Sequence, residues 1–176
     1  MVGLGYWVVL GVFTVIGMVV GNRLKSKFAH YSRIGIQNGM TGREIAEKML
    51  QHYRIHDVQI VMGQGFLTDH YNPANKTVAL SPEVYNGRTI AAAAVAAHEC
   101  GHAVQHNTAY SMLTLRSRLV PVVQFSANIQ QFLFMATVFG MGAGMGGNLL
   151  MMILVATFGL TALFSLVTLP VEFDAS

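Results

Sequence analysis

The residues best suited to chemistry are His98, Glu99 and His102, which form the pattern H-E-x-x-H. Because the helix-favouring run of residues 91–97 precedes them, we expect the pattern to lie on a helix. Side chains four residues apart project from one helix face, so the two imidazoles can bind one zinc ion at about 2.0 to 2.1 Å. Glu99 would then lie beside the ion without binding it, placed to move a proton from water to a leaving amine. The pattern predicts peptide hydrolysis by a zinc-activated water.

A catalytic zinc site usually has three protein ligands and leaves a fourth position to water. Of the eight acidic residues, only Glu172 and Asp174 follow the motif. We expect Glu172 to be the third ligand and Asp174 to orient a zinc-bound imidazole. His106 forms a second pair with His102, but residue 103 is alanine, so that register has no general base. We therefore expect His106 to lie behind the ligands or on the surface; it and Asp69 are the next ligand candidates after Glu172.

The stretch Asp69-His70-Tyr71 has two interpretations, which the residues do not separate. In the first, His70 and Tyr71 stabilise a developing oxyanion, contact the substrate or belong to a self-inhibitory segment near the zinc. In the second, the stretch is a polar turn before Pro73.

The segments that must hold these residues are largely apolar. Hydrophobic residues make up 53% of the 176 residues and charged residues 11%, about half the usual share in soluble domains. Residues 2–21 carry no charge, and neither do residues 119–171, which a glycine-rich segment at 140–148 interrupts. At 1.5 Å per residue, spans near 2–21, 120–139 and 149–169 can each cross about 30 Å of hydrocarbon. An uncleaved anchor suits residues 2–21 better than a signal peptide, because no basic residue precedes them and no cleavage site follows.

Charge placement predicts the orientation of these spans. All 11 Lys and Arg residues lie between Arg23 and Arg118, and five of them flank span ends. By the positive-inside rule, residues 22–118 face the cytoplasm. The basic residues never form a dense run, so we expect a lipid bilayer and a peptide or protein substrate as partners, and no nucleic acid. The single cysteine, Cys100, suits a reducing compartment. The oligomeric state is not indicated.

The cytoplasmic segment has a mixed pattern. Thr41 and Glu44 form a capping box before a helix predicted over residues 42–53. Short apolar runs at 58–61 and 77–80 predict two strands. The sequence thus predicts a mainly α membrane protein with about three transmembrane helices and a small α+β, zincin-like cytoplasmic domain built on the HExxH helix. Its parts are an anchor (1–21), a metallopeptidase domain (22–118), two spans (119–171) and a C-terminal segment with the third ligand (172–176).

Together with the N-terminal span, four segments resemble the YugP-like neutral zinc metallopeptidases of bacterial membranes. They are MTG (40–42), LTDHYNP (67–73), AAHECGHA (96–103) and LPVEFDAS (169–176). The resemblance implies a proteolytic, gluzincin-like enzyme with poorly defined substrates. Family members often carry Asp where this chain has Asn72. They also continue past the last of these segments, which suggests a truncation after Ser176.

Two other functions fit parts of the pattern. An intramembrane protease would carry the motif inside a span, but only nine uncharged residues, 89–97, separate Arg88 from His98. A membrane scaffold or adaptor that binds zinc without catalysis would usually need four protein ligands. The chain offers one cysteine and no second tight histidine cluster beyond His106. Peptide hydrolysis is therefore the preferred prediction, with the scaffold as its alternative.

Overall fold

The computed structural model describes residues 4–65, 68–138 and 147–176. Its elements, in chain order, are α1 (Leu4–Tyr31), α2 (Gly42–His52), β1 (Gln59–Met62), β2 (His70–Asn72), β3 (Thr77–Leu80), α3 (Pro82–Asn86), α4 (Ile90–Asn107), α5 (Ser111–Val138) and α6 (Gly147–Ala175). The chain forms two compact units, residues 1–100 and 101–176. The expectation of a mainly helical protein with a small sheet is confirmed.

Helix α2 begins at the predicted capping box. The Thr41 hydroxyl accepts a hydrogen bond from the Glu44 amide at 3.2 Å, and the Glu44 carboxylate accepts one from the Thr41 amide at 2.7 Å. These bonds satisfy two amides that the first turn leaves without helical partners, and the bond from the Thr41 amide is the main cause that lowers the pKa of Glu44. The helix ends at His52, one residue before the predicted end.

The sheet has three strands in the order β1-β3-β2. The two predicted strands, β1 and β3, pair in parallel, while β2 pairs antiparallel with β3 and places Tyr71 opposite Val78. Strand β2 was not predicted, and its presence means that the polar-turn interpretation is wrong for residues 70–72. The turn follows at residues 73–76, where the Asn72 side chain accepts a hydrogen bond from the Ala74 amide.

A small-residue face of α4 forms part of the core of the first unit. Ala92, Ala96 and Cys100 recur at a spacing of four and are buried. The Cys100 sulfur lies 3.8 Å from the Ala46 carbonyl oxygen of α2. Because alanine and cysteine have short side chains, the backbones of α2 and α4 can approach closely, which positions His98 and Glu99 in this unit.

Long helices cover the three predicted spans. Among the described residues, one segment, Met152–Ala175 of α6, is long and apolar enough to cross a membrane, and almost none of it is buried within the protein. The spans predicted at 2–21 and 120–139 lie largely on α1 and α5, and their membrane insertion stays a prediction. Most of the predicted loop at 140–148 lies outside the described residues, as do Leu67 and the end of the second span.

Candidate metal centre

The histidine motif lies on α4, as its spacing predicts. His98 and His102 are one helical turn apart, with His102 buried and both His98 and Glu99 half-buried. This arrangement gives two imidazoles on one helix face and a carboxylate on the turn between them.

Glu172 meets His102 within the second unit. Its Oε2 atom lies 3.6 Å from His102 Nε2, and its Oε1 atom lies 3.3 Å from Arg116 Nη2 on α5. Two ligand atoms that are each about 2.1 Å from one ion in a tetrahedral site are about 3.4 Å apart. The His102–Glu172 separation is therefore close to that of two atoms sharing a zinc ion. Arg116 holds the other carboxylate oxygen.

Three residues offer ligand atoms to one ion. One nitrogen of His98, one nitrogen of His102 and one carboxylate oxygen of Glu172 all lie within 4.8 Å of one another. Two imidazoles and a carboxylate form a donor set that suits zinc and leaves a coordination position open. The described residues thus fit the metal that the motif predicts.

Gln105 connects His102 to the end of α6. Its Nε2 atom donates to the Val171 carbonyl and to Asp174 Oδ2, each at 2.8 Å, and its Oε1 atom lies 3.0 Å from His102 Nδ1. Because both α6 oxygens are acceptors, the amide must present its own oxygen to His102, so Nδ1 carries the proton. The Nε2 atom of His102 is then the one with a lone pair for a metal.

Asp174 was predicted to orient a zinc-bound imidazole. Its carboxylate accepts a hydrogen bond from the Gln105 amide, and the oxygen of that amide contacts His102. Asp174 is thus connected to His102 through Gln105. Gln105 itself was missed. Its signal was its spacing: it follows His102 by three residues, which places both side chains on one face of α4. Its amide could not be assigned a partner from the sequence, because Val171 and Asp174 are more than sixty positions away.

Glu99 contacts the sheet of the first unit. Its Oε2 atom accepts a hydrogen bond from the Tyr71 amide of β2 at 3.0 Å. Strand β2 lies at an edge of the sheet, and the Tyr71 amide points towards the histidine motif. This contact fixes one oxygen of the carboxylate that is predicted to act as the base.

The remaining predicted residues lie as follows. Asp69 accepts hydrogen bonds from the amide and the hydroxyl of Ser81, directly before α3, so it connects β2 to that helix. His70 is exposed, with Nδ1 2.7 Å from the Thr68 carbonyl oxygen. His106 is exposed in the last turn of α4. The roles of His70 and Tyr71 towards a substrate stay predictions.

Cys100 lies inside the motif but away from solvent. Burial, and secondly the charge of Glu99, raise the pKa of its thiol to about 12. A thiol of this kind is a poor nucleophile at neutral pH. Its position against Ala46 agrees with the predicted packing role.

Comparison with known proteins bears on this site. The family model described as "Putative neutral zinc metallopeptidase" matches residues 6–176. The chain belongs to this family. A relative of the same kind, "Putative membrane protease YugP" of Bacillus subtilis (strain 168), is 40% identical over 154 residues. The match covers 88% of this chain and 66% of the relative, so the chain spans just under two thirds of that protein. No solved structure matches.

Membership confirms the resemblance drawn from the motif. In this member of the zinc metallopeptidase family, the variable position Gly101 of the motif has a structural role. A Cβ atom there would lie 2.3 Å from the Ala175 carbonyl oxygen of α6. Since backbone cannot move aside as a flexible side chain can, only glycine permits this approach.

We predict that Gly101→Ala displaces the end of α6 and lowers the free energy of unfolding by about 1 to 3 kcal/mol, because the added methyl group overlaps backbone. Gly159→Ala on α6 is the matched control, since a Cβ atom there has nothing within 4 Å. Thermal unfolding in detergent and zinc content measure both effects. Equal zinc content and equal melting temperatures in the two variants would show that the close approach is unimportant.

Proposed function

We propose that this chain is a membrane-bound, zinc-dependent endopeptidase. The observation that carries the proposal is the 3.6 Å separation between His102 Nε2 and Glu172 Oε2, with His98 one turn away on the same helix. Residues 102 and 172 are far apart in sequence, and the separation of their nitrogen and oxygen atoms is close to that of two ligand atoms on one zinc ion. Family membership supports the same reaction class.

In the proposed mechanism, His98, His102 and Glu172 would hold zinc. Zinc bound there would supply Lewis-acid chemistry, including a pKa of about 7 for a water ligand. Glu99 removes the proton from the attacking water and delivers it to the leaving amine. The Tyr71 amide holds the Glu99 carboxylate in place, and Gln105 keeps the lone pair of His102 on Nε2. No covalent intermediate with the protein is needed.

We predict that Glu99→Gln retains zinc and loses peptidase activity by about 10² to 10⁴-fold, because Glu99 moves a proton and does not ligate the metal. Glu83→Gln, an exposed glutamate of α3, is the control. Casein hydrolysis and metal analysis are measured on the same preparations. Loss of zinc together with activity would contradict the role of Glu99, and full activity in Glu99→Gln would leave the zinc-binding scaffold as the better function.

A second prediction distinguishes a residue that binds the metal from one that only positions a metal ligand. Glu172→Ala removes one of three ligands and should abolish tight zinc binding, whereas Asp174→Ala acts through Gln105 and should weaken it about 10 to 100-fold. Competition with a chelator measures both affinities, with the parent protein as reference. If Glu172→Ala holds zinc as well as the parent, Glu172 is not a ligand and His106 and Asp69 become the next candidates.

The proposal includes a topology with three spans and with residues 22–118 in the cytoplasm. It is supported by the basic residues beside the predicted span ends, by the apolar segment of α6 and by the name of the relative. A cytoplasmic catalytic domain would act on peptides exposed at the inner surface of the membrane.

We predict that Gln51→Cys in a Cys100→Ala background reacts with a membrane-impermeant maleimide only after cells are permeabilised. Gln51 is exposed on α2, and removal of the single native cysteine leaves one labelling site. A cysteine at position 2, predicted outside, is the control for labelling in intact cells. Labelling of Gln51→Cys in intact cells would show that this segment lies outside the cell and would contradict the proposed orientation.

A further inference from the structure

The boundary between uncharged and charged residues lies at one level on two helices. On α5 it falls between Arg118 and residue 119, and on α6 it falls between Val171 and Glu172. The Arg116–Glu172 contact at 3.3 Å shows that the beginning of α5 and the end of α6 are adjacent. The surface of a bilayer requires neighbouring antiparallel helices to change from uncharged to charged residues at the same height.

The length of α6 agrees with this level. Its residues 147–171 carry no charge and extend about 37 Å, slightly more than the roughly 30 Å of hydrocarbon that a moderately tilted helix crosses. Glu172 therefore emerges at the headgroup layer. Since His102 Nε2 is 3.6 Å from its carboxylate, this metal ligand lies in the same layer.

Exposed apolar side chains surround this level in the second unit. Phe173, next to Glu172, is 74% exposed, and Leu169, one turn before it, is 54% exposed. Met112 and Leu115 at the beginning of α5 are also exposed. Such side chains would be an aggregation liability in water, but they lower the free energy when they lie among lipid headgroups and upper acyl chains.

We propose that the natural substrates are membrane-anchored polypeptides cleaved within a few residues of the bilayer surface. The inference rests on the proposed function, since it names the substrate class of the same site. A scissile bond must reach the layer of Glu172 and His102, and a segment held far above the membrane cannot do so. A segment that follows or precedes a transmembrane helix directly is already there.

The test uses the full chain in phosphatidylcholine vesicles with three reporters that carry one casein-derived segment. In the first, two residues join the segment to a transmembrane anchor. In the second, a helical spacer of thirty residues holds the segment about 45 Å from the same anchor. The third is the soluble segment. We expect the first reporter to be cleaved at least about tenfold faster than the second, although tethering gives both the same surface density.

Equal or faster cleavage of the second reporter would overturn the inference and leave the proposed function intact. If no reporter is cleaved faster by the parent than by Glu99→Gln, the proposed function fails as well.

A measurement without catalysis tests the depth of the site alone. The variant Trp7→Phe, Phe173→Trp has one tryptophan, beside Glu172. We expect lipids brominated near the headgroup to quench it more strongly than lipids brominated at the chain ends, with a soluble tryptophan amide as unquenched control. Absence of quenching by either lipid would place residue 173 in water and overturn the inference.

Discussion

The Ala175 carbonyl oxygen occupies the space that a side chain at position 101 would need, and this close approach of α4 and α6 determines the site. Glycine in a helix interior costs about 0.5 to 1 kcal/mol relative to alanine, so its presence in α4 requires a reason. The reason is that Glu172, one turn before the contact, can then reach His102. Buried Val171 and Ala175 lie on the same face of α6 and pack where the two helices meet. A larger residue at 101 would separate the residues proposed to share the metal.

Polar contacts at this junction orient side chains more than they stabilise the fold. The Arg116–Glu172 pair is about one third exposed, and such pairs contribute roughly 0 to 1 kcal/mol. Buried Gln105 differs, because each of its amide atoms has a partner and loss of one would leave a polar group unsatisfied. Together Arg116 and Gln105 determine which oxygen of Glu172 and which nitrogen of His102 face each other.

Local patterns in the sequence predicted the local features. The capping box of α2 and the motif helix depend on residues a few positions apart, and both were predicted from the sequence. The third ligand candidate was predicted by elimination, since few acidic residues follow the motif. Strand β2 was missed because three residues, one of them histidine, carry no alternating apolar pattern and acquire their structure from pairing with β3. The connections of Gln105 and Arg116 depend on packing between distant segments, which no local spacing encodes.

The central claim is that α6 completes a metal site begun on α4. Crystals of the zinc-loaded full chain, with data collected at the zinc absorption edge, test it most directly. An anomalous peak about 2.0 to 2.2 Å from one nitrogen each of His98 and His102 and from a carboxylate oxygen of Glu172 is the predicted result. A peak bound by Cys100 or His106, with no oxygen of Glu172 within ligand distance of the ion, would contradict the account.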